Sequence, residues 1–292
     1  GMMPWREALF AFMQRNAERV RFAAFGYLND NYNNGNLAQN ERYGGVLRAP
    51  MKYLGNSAVN TDLKTITNTA KEWDAYGVFA ANPLGDSTGN SGVVNYLNKF
   101  GRTTITSLGK PTDNPTGSYK TYDPLSELFY ESIRYLQFHN KGPTPEAVNN
   151  LTTANTDNFA VYSSWNVDPM LNKCQRNYVL TIGDINTHQD NYVPGNTYTG
   201  RGDPTRAVDS YSGFDVVDWT KRVQAMEMNS PDVGNPYADT STTIANMLSR
   251  GHPSSSNSSY YMAGVAYWAH TAAFRPDMPD ARVTTFGIDV NE

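Results

Sequence analysis

Behind Pro4, a residue suited to a first helical turn, Trp5, Leu9, Phe12, Met13 and Val20 recur at helical spacing and predict a helix of about four turns. The run Arg21-Phe22-Ala23-Ala24-Phe25-Gly26-Tyr27-Leu28 then reads as a buried strand, stopped by the Asn, Asp and Gly residues of 29–36. Residues 44–50 predict an edge strand, because Pro50 has no N–H to give to the interior of a ladder. Leu63, Ile66, Ala70 and Trp73 fall on a helical stripe within 57–74. The clearest helix has Asp123 as its cap, Pro124 as its first residue, and Leu125, Leu128, Phe129, Ile133 and Leu136 at core spacing. Tyr178-Val179-Leu180-Thr181-Ile182-Gly183 has the unbroken apolar character of a strand buried on both faces. Asp215 and Asp218 open a further helix, 260–274 is an apolar helix closed by Pro276 and Pro279, and Thr284, Phe286, Ile288 and Val290 alternate as a last strand.

Strands alternating with helices predict an α/β fold with a largely parallel sheet, carried by a single domain over residues 1–292. Its long polar segments, about 29–60, 82–121, 140–175 and 186–213, read as insertions. No apolar run approaches the ~20 residues that cross a bilayer. Only 18% of residues are charged and the net charge is −4, with no basic cluster beyond Lys221-Arg222, which excludes a nucleic-acid groove. The single Cys174 excludes a disulfide framework and a cysteine-based zinc site. Gly1-Met2-Met3-Pro4 carries neither the basic nor the apolar region of a secretory signal, and the leading Gly-Met reads as an expression remnant on a piece of something longer.

Candidate chemistry gathers after the strand at 178–183. An acid directly behind a buried strand, here Asp184, faces the crevice where open α/β sheets bind ligands. Asn186, Thr187, His188 and Asp190 add oxygen and nitrogen donors suited to a hard cation, whereas the bland reading of Asp184 is an Asx-turn. Asp123 is accounted for as a helix cap and is also a candidate for a metal-bound water. Asp30 to Glu41 nearly fits a twelve-residue calcium loop, but Tyr32 breaks the third position. Gly85-Asp86-Ser87-Thr88-Gly89 satisfies the nucleophile-elbow pattern, with His188 or His252 as base, and requires a strand before it and a helix after it. His270, inside an apolar helix, is expected in the core. Arg201-Gly202-Asp203 is an integrin-type tripeptide in a loop rich in Gly, Pro and Asn.

Five strings in order carry a family likeness: residues 44–53, 94–101, Tyr122-Asp123-Pro124-Leu125-Ser126-Glu127-Leu128-Phe129-Tyr130-Glu131, Gly183-Asp184-Ile185-Asn186-Thr187-His188 and 261–270. Together they resemble the amino-terminal von Willebrand factor A-like region of the type IV pilus tip-associated adhesin and assembly family. The resemblance implies a doubly wound, largely parallel sheet with long loop insertions, on the cell surface at a pilus tip. It implies a non-enzymatic adhesion or pilus-assembly module whose partners are pilus subunits or a surface receptor, met through loops at the carboxyl edge of the sheet. It also implies a divalent cation, Ca²⁺ or Mg²⁺, with Asp184 as the third-loop acid and Asp123 where the second loop offers a Thr. The family's Asp-x-Ser-x-Ser loop and the strand before it are not found in this sequence. A serine hydrolase using Ser87, or a plain structural spacer, are the alternatives.

Overall fold

The computed structural model describes residues 4–29, 44–100, 123–183, 187, 190–197, 205–229 and 259–289. The chain divides into two compact units, one of residues 1–32, 46–119 and 150–163, the other of 33–45, 120–149 and 164–292. Each two-stranded sheet among the described residues lies within one unit, and only one of the three is parallel.

In the first unit, α1 (Pro4–Asn16) turns Leu9, Phe10 and Met13 onto a core that includes Ala24, Ala49, Leu54, Val94 and Phe159. The expected strands are there as β1 (Phe22–Gly26) and β2 (Val46–Lys52), an antiparallel pair. Phe22 pairs with Lys52, Ala24 with Ala49 and Phe25 with Leu47, so the register slips twice. The first slip sets Pro50 and Met51 against one residue, which removes the demand for a proline donor. The second leaves Arg48 as the extra residue, and its side chain turns inward until only 1% is exposed. There the guanidinium donates to Thr156 O (2.8 Å) and Tyr27 O (2.7 Å) and lies 5.4 Å from the centre of the Tyr96 ring. The start of α2 (Val93–Phe100) is capped from afar: Glu72 accepts the N–H groups of Val93 and Val94, both at 2.7 Å, and pairs with Lys52 at 2.8 Å. Gly92, at φ +105°, leaves the space for that carboxylate, since a Cβ would sit 3.1 Å from both of its oxygens.

The helical stripe expected within 57–74 is replaced by a hairpin, β3 (Ser57–Val59) with β4 (Thr65–Thr67). Asn60 decides this, because its side-chain oxygen accepts from the N–H of Asp62 and of Lys64 and offers the backbone a turn in competition with a helix. Leu63, which the stripe would have buried, stands at φ +61° and is 77% exposed.

The second unit holds α3 (Leu125–Gln137), α5 (Val216–Asn229), α6 (Tyr261–Thr271) and the parallel strands β5 (Asn177–Gly183) and β6 (Val283–Asp289). The short α4 (Thr153–Thr156) belongs to the first unit and opens with a Thr152–Asn155 capping box. Helix α6 packs against α5, α3 and β6. Between them Phe214 stacks on Tyr130 and on Trp268, with Phe274 edge-on to Trp268. Helices α5 and α6 meet at Gly264, where a Cβ would lie 2.3 Å from Thr220 Oγ1 and 2.8 Å from its backbone nitrogen. Asp215 caps α5 through the N–H groups of Val217 and Asp218, as a local acid should.

Two expectations change here. Strand β5 is not covered on both faces, since Tyr178 is 55% and Leu180 43% exposed. His270 is exposed rather than core-packed, because it sits on the last turn of α6 and reaches across to the Val283 carbonyl with Nδ1 at 3.0 Å.

Candidate functional site: a buried acid at two helix starts

The expected cap of α3 is corrected by the geometry. Pro124, not Asp123, is the N-cap residue, and it makes no side-chain cap bond. The acid that serves the helix is Asp190, 64 positions further on. Its Oδ1 accepts the Ser126 N–H and its Oδ2 the Ser126 hydroxyl, both at 2.6 Å. Proline has no N–H and its short ring cannot reach back, so the orphan donors of the first turn wait for an acceptor from elsewhere. The Ser259 hydroxyl donates to the Asp190 backbone carbonyl (2.7 Å) and to Oδ2 (3.2 Å).

The second tier of contacts fixes these hydroxyls. The Met262 N–H donates to Ser126 Oγ at 2.9 Å and the Tyr261 N–H to Ser259 Oγ at 3.3 Å. Both hydroxyl oxygens thus touch Asp190 on one side and the first turn of α6 on the other. One carboxylate therefore joins the starts of α3 and α6 to the loop at 190–196, and both helix dipoles favour its charge. Burial opposes them: Asp190 is fully enclosed, and its pKa is pushed up to about 7 by burial, with the hydrogen bonds from Ser126, Thr187 and Ser259 pulling it back. The donors facing Asp190 are hydrogens, the complement of an anion.

Glu131 of α3 is buried beside this site, its pKa raised first by burial. It accepts both the N–H and the hydroxyl of Thr144, and Arg206 donates to Thr144 Oγ1 (2.7 Å) and to the Tyr192 carbonyl (2.9 Å). The Arg206 guanidinium is held between the Tyr130 and Tyr192 rings, 5.2 and 4.9 Å from their centres. Glu131, Thr144, Tyr192 and Arg206 line a cavity of about 10 Å³, the room of one water. At the far end of α3, Arg275 is 5% exposed and forks onto Asp168 at 2.7 and 2.5 Å, while it also pairs with Asp277 at 3.0 Å.

Of the residues singled out from sequence, Asp123 lies half-buried just before α3 and Asp190 is wholly enclosed. Asp184, Asn186, His188, Arg201, Gly202, Asp203, His252 and the 30–41 loop lie outside the described residues. Among the described residues no three His, Cys, Asp or Glu side chains converge on a point where an ion would sit. Ser87 is exposed on a turn in which Asp86 accepts from the N–H and hydroxyl of Thr88, and no strand leads into it as an elbow requires. Sequence reasoning missed Ser126, Ser259, Glu131, Thr144 and Arg206. Neither serine stands at the N-cap, Ser126 being inside α3 and Ser259 just before the N-cap Tyr260, so no local capping rule points to them.

The family described as "PilY1 homolog, second domain" matches residues 25–269, so the chain belongs to that family. A curated relative, the "Type IV pilus biogenesis factor PilY1 homolog" of Xylella fastidiosa (strain Temecula1 / ATCC 700964), is 36% identical over 301 residues, covering 96% of this chain. The chain spans 22% of that relative's length. No solved structure matches the chain.

Proposed function

We propose that these residues form a non-enzymatic module of a type IV pilus biogenesis factor. It works at the cell surface, at the pilus tip, in adhesion or in pilus assembly. What carries this reading is the family match over 25–269 together with 36% identity to a protein named as a pilus biogenesis factor. In this reading the β5–β6 ribbon belongs to a doubly wound sheet of von Willebrand factor A type, and partners are met by loops held on rigid elements. The buried polar pins at Asp190, Glu131 and Arg275 favour a scaffold, since each is enclosed in protein. Residues 201–203 are part of the contact region, and the partners are pilus subunits or a surface receptor. No helix among the described residues is long and apolar enough to cross a membrane.

The test is an in-frame deletion of 25–269 in the full-length protein of a piliated bacterium, with immunoblotting to verify that the shortened protein is made. Loss of surface pili assigns the module to assembly. Retained pili with lost surface attachment assign it to adhesion. Normal piliation together with normal attachment sinks the proposal. The cation-assisted form of the reading assigns Asp184, Asp123, Asn186 and Asp190 as ligands for Ca²⁺ or Mg²⁺. Calorimetry on wild type and Asp184→Ala decides it: a binding heat lost in the variant supports the assignment, and equal or absent heats remove it.

A further inference from the structure

Strands β5 and β6 run parallel and in register, Tyr178 beside Thr284, Leu180 beside Phe286 and Ile182 beside Ile288. Side chains alternate along a strand, so these six share one face of the ribbon. Five of the six are apolar. The opposite face, with Asn177, Thr181, Thr285 and Gly287, is more polar, yet it is the side against which the body of the unit packs: Val283 is fully buried there, and Leu125 of α3 reaches Gly183. Among the described residues the more apolar face is thus the open one. Tyr178 is 55%, Leu180 43% and Phe286 54% exposed, with Tyr178 and Phe286 stacked at 6.2 Å.

A two-stranded parallel ribbon whose apolar face the described residues leave bare conflicts with how parallel strands are stabilised, which is by helices laid over both faces. The matched family is a second domain, and the relative extends to more than four times the stretch aligned here, the chain covering 22% of it. We propose that the Tyr178/Leu180/Phe286 face is the seat of an amphipathic helix from the same polypeptide, contributed from outside residues 1–292. An apolar stripe at i, i+3, i+4 and i+7 would lie across the ribbon and complete the second layer. The surface is then an internal joint between this module and another part of the full-length protein. The open face is a property of the ribbon, while the origin of its occupant rests on the same family match as the pilus reading, and the crosslinks below test it separately from piliation.

The experiment places p-benzoyl-phenylalanine at Phe286, and separately at Tyr178, in the full-length protein, one aromatic ring replacing another. After irradiation, the crosslinked peptides are identified by mass spectrometry. A crosslink within one chain to a peptide outside 1–292, from either position, is the expected result. A crosslink to a second copy, to a foreign protein, or to a peptide inside 1–292 overturns the proposal. Maleimide labelling of Leu180→Cys in the same full-length protein supplies an independent reading, with the naturally exposed Cys174 as reference. Labelling about tenfold slower than at Cys174 is expected of a covered face. Labelling at the Cys174 rate, with no crosslink from either ring, shows the face bare and also overturns it.

Discussion

Replacing Asp190 tests the buried site directly. In Asp190→Ala the Ser126 N–H and hydroxyl each lose an acceptor that now sits at 2.6 Å, whereas the Ser259 hydroxyl keeps the residue-190 carbonyl at 2.7 Å. Two buried orphan donors at about 1–3 kcal/mol each give a loss of about 4 kcal/mol. The pH dependence has a definite sign. With the folded pKa raised from 3.8 to about 7, the native state holds a proton that the unfolded chain has released. The stability this group contributes is therefore complete below pH ~4 and is lost as pH rises to about 7, by up to about 4 kcal/mol. Asp190→Asn cannot titrate. Urea unfolding of wild type and Asp190→Asn, followed by the fluorescence of buried Trp268, should show wild type gaining on the variant as pH falls from 8 to 4. A gap that stays level, or that widens towards alkaline pH, would refute the argument that burial outweighs the donors.

Three further substitutions probe the packing. Gly264→Ala drives a methyl into the α5 backbone at Thr220 and should cost about 2–3 kcal/mol, read as a lower urea midpoint; an unchanged midpoint would mean the helices are not in contact there. Arg48→Met leaves the Tyr27 and Thr156 carbonyls without their buried donor and should cost about 3 kcal/mol, with Arg48→Lys failing to restore it because one ammonium cannot span both; full stability of the Lys variant would count against the fork geometry. Arg275→Leu should cost about 2 kcal/mol, a value tempered by the partial exposure of Asp168 and Asp277, and a calorimetric Tm equal to wild type would show that the clamp contributes nothing.

What the sequence disclosed was the periodic part of the molecule. Helices α1, α3, α5 and α6 and strands β1, β2, β5 and β6 all follow from apolar spacing and from Pro and Gly punctuation. The hairpin at 57–67 escaped because one side chain, Asn60, outweighed a four-residue stripe. The site was less legible, and for one reason: its hydrogen bonds join positions far apart. Asp123 carried the local signature of a cap, yet the cap came from Asp190; Asp215, adjacent to its own helix, was found at once. Asp190 was named as a cation ligand, and what the structure adds is the set of hydrogen bonds it receives from Ser126 and Ser259. No spacing rule links residues 126, 190 and 259.

The remote caps also set an order of events during synthesis on the ribosome. Helix α2 receives its acceptor from Glu72, 21 residues earlier, and can lock as soon as it emerges. Helix α3 must wait for Asp190, 64 residues later, whereas α6 finds that acid and Ser126 already made when its own first turn appears. A nascent chain halted before residue 190 should carry α3 with a frayed first turn that proteases can cut, and the same turn should become resistant once residue 190 has emerged.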